Sequence, residues 1–408
     1  MIFQFYSICV RVIWMKTDEE KIKEILSRNI EQVITKEALE KKLHSGKQLR
    51  IKHGVDATSA SLHLGHAVNY RKMREFQEMG HKVVFLIGDF TTQIGDPTGK
   101  SKTRPELSQK EIENNIKTYL QQAAKILINE PKVLEVRRNS EWYKKMKLNE
   151  FLGLLRKITH ARLIERDMFQ KRMKSNEEIY EHEIMYPILQ GYDSVMLKSD
   201  LTIIGTDQLF NEMIGRHYQQ IFGQEQQAII TTAITPGLDG KEKMSKSLNN
   251  FVGIADSPEN KFGKIMTLPD DLIGDYLLVH TDLTRAEVEA IKKEKPFAAK
   301  KRLAGEIVKI YDGAAAAAKA RDNFEKTFSK RETPADIKVS KISVGKKWGD
   351  FLVEEKLVRS KAEAKRMISG GGVDFENARV SGFSEKITKN GVAKIGKYKF
   401  VKIEISKV

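Results

Sequence analysis

Apolar positions recur at helical spacing over residues 17–44, where Ile22, Ile25, Leu26, Ile30 and Val33 fall on one face. Thr17 followed by Asp18, Glu19 and Glu20 is a good N-terminal cap, so a helix is expected there. The pattern then changes to a short strand over 49–55, a loop rich in Ser and Ala, and a helix over about 63–79 that Gly80 stops. Residues 82–88 (KVVFLIG) form an unbroken apolar run, as in a parallel strand buried on both faces. Together these pieces make a β-α-β unit, the opening of a doubly wound nucleotide-binding sheet. Residues 107–197 read as mostly helical, and strand signals return at 201–205 and 227–233. So long a helical stretch between strands of one sheet is expected to be an insertion.

The helical pattern resumes over 258–328 and includes an alanine run, residues 314–318, which is simply a good helix former. Residues 329–340 (SKRETPADIKVS) are polar with one proline and read as a linker, followed from 341 by a helix pair and short β segments punctuated by glycine. The expected fold is therefore α/β. A Rossmann-like doubly wound parallel sheet with a helical insertion occupies 15–250, a helical domain 251–328, and a small α+β domain 341–408. The apolar opening, residues 1–14, is too short to span a bilayer and is interrupted by Arg11. It lacks the basic start and small-residue cleavage site of a signal peptide, so it is expected to be an extension before a natural start at Met15.

A chain of 408 residues has room for two or three domains. Its 71 Lys and Arg against 55 Asp and Glu leave a net charge of +16, which predicts affinity for polyanions and says nothing of fold. Half of that excess sits in the tail, where residues 341–408 carry 16 basic and 8 acidic side chains. The single Cys9 excludes a disulfide framework and a Cys-based zinc finger, and points to a reducing compartment, the cytoplasm.

His63-Leu64-Gly65-His66 stands where the loop after the first strand of the β-α-β unit enters a helix, a place where free N–H groups and the helix dipole attract phosphate. Gly65 would let a flat ring or sugar approach the backbone. The plainer readings are two surface histidines or half of a metal site, and no further His, Cys or carboxylate cluster lies at ligand spacing. Lys243-Met244-Ser245-Lys246-Ser247 follows Gly237-Leu238-Asp239-Gly240, so it reads either as a mobile loop able to close over a triphosphate or as a solvated basic loop. Residues 95–101 (GDPTGKS) imitate a P-loop, but only three residues separate the glycines where that motif needs four. Tyr186, Gln190 and Asp193 share a helix face and suit a small zwitterion with a hydroxyl at one end; helix surface is the alternative. Gly205-Thr206-Asp207-Gln208 follows a strand, where Asp207 could accept from ribose hydroxyls or merely cap a helix.

H-L-G-H after the first strand and K-M-S-K-S after the last form the double signature of class I aminoacyl-tRNA synthetases. The chain as a whole resembles the bacterial tyrosyl-tRNA synthetases, from about Lys21 to its end. Gly54-Val55-Asp56-Ala57-Thr58, residues 88–91 (GDFT), residues 94–105 (IGDPTGKSKTRP), Asn139-Ser140-Glu141-Trp142, residues 186–195 and residues 205–211 (GTDQLFN) carry the likeness. In the tail, residues 360–368 (SKAEAKRMI) and Gly371-Gly372-Val373 resemble a small RNA-binding domain shared with a ribosomal protein.

The resemblance implies ATP as co-substrate with a Mg ion, and L-tyrosine and its tRNA as partners of a homodimer away from membranes. It implies that Asp193 and Gln190 hold tyrosine, Asp193 at the phenol, and that Tyr186, Asp96 and Gln208 meet the α-amino group. Asp56 and Thr91 fall in the same substrate motifs. His63, Gly65 and His66 would face ATP, Gly205 and Asp207 its ribose, and Lys243 with Lys246 the departing pyrophosphate. Lys52 stands where another bacterial group has a substrate-contacting tyrosine, and Ile204 stands where a glycine would leave more room for ribose.

Overall fold

A computed structural model describes residues 18–56, 61–96, 108–246, 248–326, 338–358, 360–376, 378–396 and 399–406. Residues 1–14, Ala57-Thr58, residues 97–107, Ser247 and most of the expected linker lie outside them. The first half runs α1 (Glu19–Ile25), β1 (Ile30–Ile34), α2 (Lys36–His44), β2 (Arg50–Val55), α3 (Leu64–Glu78), β3 (Lys82–Ile87), α4 (Thr91–Ile94), α5 (Gln109–Ala123) and β4 (Leu134–Arg138). Short helices α6 (Ser140–Tyr143), α7 (Leu148–Leu155), α8 (His160–Ile164) and α9 (Asp167–Lys174) lead to α10 (Glu181–Leu197), β5 (Leu201–Gly205), α11 (Leu209–Ile221) and β6 (Ala228–Thr232).

Six strands form one sheet in the order β1-β6-β5-β2-β3-β4, all parallel except β1. The chain builds outward from β2 through β3 to β4, then returns to add β5 and β6 on the other side. The carboxyl ends of β2 and β5 therefore adjoin at a topological switch point, where such sheets open a crevice. Alternation along β3 fills both faces. Val83, Phe85 and Ile87 enter one apolar cluster, while Val84 and Leu86 pack with Trp142 and Leu189 in another.

Two sequence expectations need correction. The helix expected over 17–44 is broken by β1: Asn29 adopts φ 56°, and Ile30, Val33 and Ile34 pair antiparallel with the buried β6. The stretch expected as a helical insertion contains β4, which pairs parallel with β3 at the sheet edge. Its sequence, LEVRR, is half-exposed and charged because only one side of an edge strand is covered. Pro187 and Gly191, which would weaken a helix, both lie within the continuous α10. A Cβ on Gly191 would stand 2.8 Å from Ile214, so that glycine sets the close approach of α10 to α11.

Helices α12 (Pro258–Ile265), α13 (Ile273–His280), α14 (Arg285–Lys292), α15 (Pro296–Asp312) and α16 (Ala314–Phe324) follow. Their apolar faces, including Phe262, Tyr276, Leu303 and Ile307, merge with Ile51, Tyr70 and Phe85 in one core. The C-terminal unit has a core of its own around Trp348, Phe351, Ile395 and Ile403. It consists of β7 (Lys338–Ser343), α17 (Trp348–Glu354), α18 (Lys361–Ser369), β8 (Val373–Phe375), β9 (Ala378–Arg379), β10 (Gly391–Ile395) and β11 (Lys399–Ser406), with sheet order β7-β11-β10-β8-β9. Residues 338–340 are thus strand, where the sequence suggested linker, because β7 gains a full parallel ladder with β11.

Candidate active site

The crevice at the switch point holds a cavity of about 240 Å³. β2, β3 and the residues just after them supply Lys52, Asp56 and Gly88; the start of α4 supplies Thr91; α10 supplies Tyr186, Gln190 and Asp193; β5 and the turn after it supply Ile204, Gly205 and Gln208. Asp96 closes the rim. Tyr186 donates its phenol proton to Asp56 Oδ2 at 3.0 Å, and Thr91 donates to Asp56 Oδ1 at 2.8 Å. This clasp needs Gly88, since a Cβ there would lie 2.4 Å from both Asp56 Oδ1 and Thr91 Oγ1. The Gln208 amide donates to Asp96 Oδ2 at 2.9 Å. Asp193 is only 4% exposed and accepts from Trp142 Nε1 at 3.0 Å and Asn139 Nδ2 at 3.4 Å. Burial pushes its carboxyl up to about 7, against the opposing pull of Lys52 and of its hydrogen-bond donors.

A second group of residues stands at the N-terminus of α3. His63 is the extended residue that precedes the helix, and it bridges to Gly253, so the segment after the lysine loop is tied to the histidine motif. The His63 N–H donates to His66 Nδ1 at 3.3 Å, which leaves Nε2 as the protonated nitrogen of a neutral His66 ring. The two rings lie 3.8 Å apart. Burial lowers His63 to about 4 and His66 well below its ordinary value, so at neutral pH both are uncharged hydrogen-bonding groups. Gly65 donates its N–H to Met244 Sδ at 3.3 Å, and a Cβ on Gly65 would meet the His63 ring at 3.1 Å. Lys243 Nζ lies 3.9 Å from Asp207 Oδ2. Lys246 is partly buried, which lowers its pKa. Asn250 fixes the loop from beneath: it accepts from Ser245 N at 2.7 Å and donates to Asp239 Oδ2 at 2.8 Å and to Lys243 O at 3.2 Å.

Tyr186, Gln190, Asp193, Asp96, Gln208, Asp56, Thr91 and Gly205 thus line one cavity, while His63, Gly65, His66, Lys243 and Asp207 cluster at the adjoining helix terminus. Ile204, expected to crowd a ribose, lines the cavity itself. Sequence reasoning missed Glu212, which lies in the cavity wall and pairs with Lys52 at 2.8 Å. The available signal was Lys52 itself, a lone cation in a strand expected to be buried, which requires an anionic partner somewhere.

Residues 43–329 match the family model of class I tRNA synthetases for tryptophan and tyrosine. The chain belongs to that family. Among its curated members, the tyrosine–tRNA ligase of Aquifex aeolicus is 45% identical over 391 residues, covering 95% of this chain and 99% of its own. That of Thermotoga maritima is 44% identical over 395 residues, with 95% and 98% covered. Solved structures agree in fold. A C-terminally truncated mitochondrial tyrosyl-tRNA synthetase from Aspergillus nidulans superposes with a TM-score of 0.64 at 22% identity, over 76% of this chain and 93% of that one. The Archaeoglobus fulgidus tyrosyl-tRNA synthetase in complex with L-tyrosine gives 0.58 at 22% identity, over 74% and 99%.

Proposed function

We propose that the chain is a tyrosine–tRNA ligase, which activates L-tyrosine with ATP to tyrosyl-adenylate and pyrophosphate and then esterifies the terminal adenosine of its tRNA. The observation that carries this reading is the union of a polar, carboxylate-floored cavity with the histidine and lysine motifs at one helix N-terminus. A purified sample should load labelled tyrosine onto tRNA only when ATP is present, and absence of loading would sink the proposal.

In this reading Asp193 accepts from the phenol, Gln190 flanks it, and Tyr186, Asp96 and Gln208 receive the α-ammonium group. Asp56 and Thr91 hold the Tyr186 phenol in place. The tyrosine carboxylate is already anionic, so its attack on the α-phosphate needs no general base. The chain must align two anions and stabilise charge growing on the leaving pyrophosphate. Neutral His63 and His66 do this as N–H donors, and Lys243 and Lys246 as cations. Gly65, Gly205 and Asp207 would accommodate adenosine. The Mg ion of this reading would enter as a counterion of the nucleotide phosphates.

The titration of Asp193 sets a pH dependence. Below about 7 its carboxyl is protonated in the free protein and loses the charge-assisted bond to the phenol. The kcat/KM for tyrosine should therefore fall as pH drops through that value, by roughly tenfold per unit on the acid limb. Profiles from mildly acidic to alkaline pH check this, and an Asp193→Asn variant should lose the inflection.

The basic C-terminal unit is read as the tRNA-binding domain. Because it has its own core, a chain ended near Pro334 should keep the catalytic core covered and still form tyrosyl-adenylate. It should charge tRNA poorly. Each lost phosphate contact removes about 0.7–0.9 from the slope of log affinity against log salt. Equal tRNA affinities and equal salt slopes for full-length and shortened chains would show that the tail is only a solvated appendage.

A homodimer fits an apolar depression of about 380 Å³ lined by Phe90, Ile94, Met146, Leu148 and Phe151, where Leu148 is 74% exposed. Among the described residues no helix is long and apolar enough to cross a membrane. The cytoplasm remains the compartment that suits a chain with one cysteine.

A further inference from the structure

Glu212 sits in the cavity wall with three donors around its carboxylate. Its Oε2 lies 2.8 Å from Lys52 Nζ and accepts from Gln227 Nε2 at 2.7 Å, and its Oε1 accepts from Gln190 Nε2 at 2.9 Å. Both members of the ion pair have side chains only 2% exposed. Lys52 is held in turn by Ser194 Oγ at 2.7 Å. On the other side of Gln190, Asn211 Nδ2 donates to Gln190 Oε1 at 2.7 Å and to Gln208 Oε1 at 3.1 Å, and Gln208 donates to Asp96. One line of hydrogen bonds therefore joins Lys52, at the inner end of the wall, to Asp96 at its rim.

A glutamine amide can turn over and exchange its donor for its acceptor with almost no change in shape. Here the carboxylate forbids the exchange. It can only accept, so Glu212 must face the NH2 of Gln190, which leaves the Gln190 oxygen to the Asn211 NH2. The turned-over amide would set oxygen against oxygen at Glu212, whereas Asn211, itself an amide, could turn to match it. What is left over for a ligand is then fixed: one further N–H and one further lone pair of Gln190, each on a known side.

We propose that Glu212 is a positioning residue for the amino-acid substrate, which fixes the Gln190 amide in one orientation while Lys52 anchors the Glu212 carboxylate. The pair acts through Gln190 and, by way of Asn211, through Gln208. It serves ground-state recognition of tyrosine and takes no part in the chemistry at phosphorus. This proposal rests on the tyrosine reading of the cavity.

The test is tyrosine-dependent ATP–pyrophosphate exchange by the full chain and two variants. In Glu212→Gln the new amide can satisfy either orientation of Gln190. The KM for tyrosine should rise about tenfold or more, the cost of one hydrogen bond to a charged group. The rate at saturating tyrosine should stay within about threefold, and the KM for ATP should not move. Since Glu212→Gln strands a buried ammonium, Lys52→Met/Glu212→Gln removes both charges together and should show the same split whether or not the single variant folds. A folded double variant with unchanged KM for tyrosine, or one that loses rate while keeping that KM, overturns the proposal and leaves the pair a purely structural role. If the unaltered chain itself gives no tyrosine-dependent exchange, the functional reading has failed, and this proposal goes with it.

Discussion

Replacing Asp193 by alanine should bring phenylalanine closer to tyrosine as a substrate, by one to two orders of magnitude in relative kcat/KM. Discrimination against a substrate that lacks a hydroxyl comes from polar groups it leaves unpaired, and tyrosyl enzymes are themselves the known case of that effect. Asp193 is buried, already accepts from Trp142 and Asn139, and lies in the cavity wall. Phenylalanine would leave that carboxylate one donor short, at a cost of about 1–3 kcal/mol or more for a charged group. In the alanine variant the penalty disappears, so phenylalanine gains relative to tyrosine even though the pocket binds both less well. Exchange assays with each amino acid give the ratio directly. An unchanged ratio would place Asp193 outside the pocket.

His66→Ala and Lys246→Ala should each slow adenylate formation by about 10²–10³, roughly 3–4 kcal/mol, the usual cost of one preorganised donor to developing charge. The two residues belong to motifs that meet at Gly65 and Met244, and neither lines the cavity that Tyr186 and Asp193 do. Tyrosine affinity should therefore change little. His66 contributes as a neutral donor, because burial and the neighbouring His63 hold its pKa well below the ordinary value. Its loss should give a similar rate deficit from mildly acidic to alkaline pH, with no sign of a titrating imidazolium. Single-turnover rates at saturating tyrosine and ATP make the check. If tyrosine binding collapsed while the saturated rate stayed normal, the assignment of these motifs to ATP would be wrong.

The elements that proved legible in the chain are those whose burial is uniform. The runs of β3, β5 and β6 are buried on both faces, and α3 has a clear start and a stopping glycine, so local pattern and global position agree. The edges of the sheet were misread for the opposite reason. In β1 the spacing of Ile30 and Val33 serves a helix face as well as a strand, and only the antiparallel partner β6 decides between them. In β4 the charges belong to an exposed edge and resemble helix surface. In α10 tertiary packing overrides Pro187 and Gly191, because the glycine is what lets α11 approach. At the site, short motifs with fixed spacing were readable, since residues close in sequence carry their geometry with them. Glu212 was not, because its meaning arises from Lys52 and Gln190, which reach it from distant parts of the chain.

The most direct measurement is amino-acid-dependent ATP–pyrophosphate exchange by the full chain, run in parallel with all twenty amino acids. Exchange supported by tyrosine, with phenylalanine and tryptophan near background, is the result expected from a carboxylate-floored cavity beside the histidine and lysine motifs. Exchange that followed tryptophan, or that appeared with no amino acid, would contradict the account.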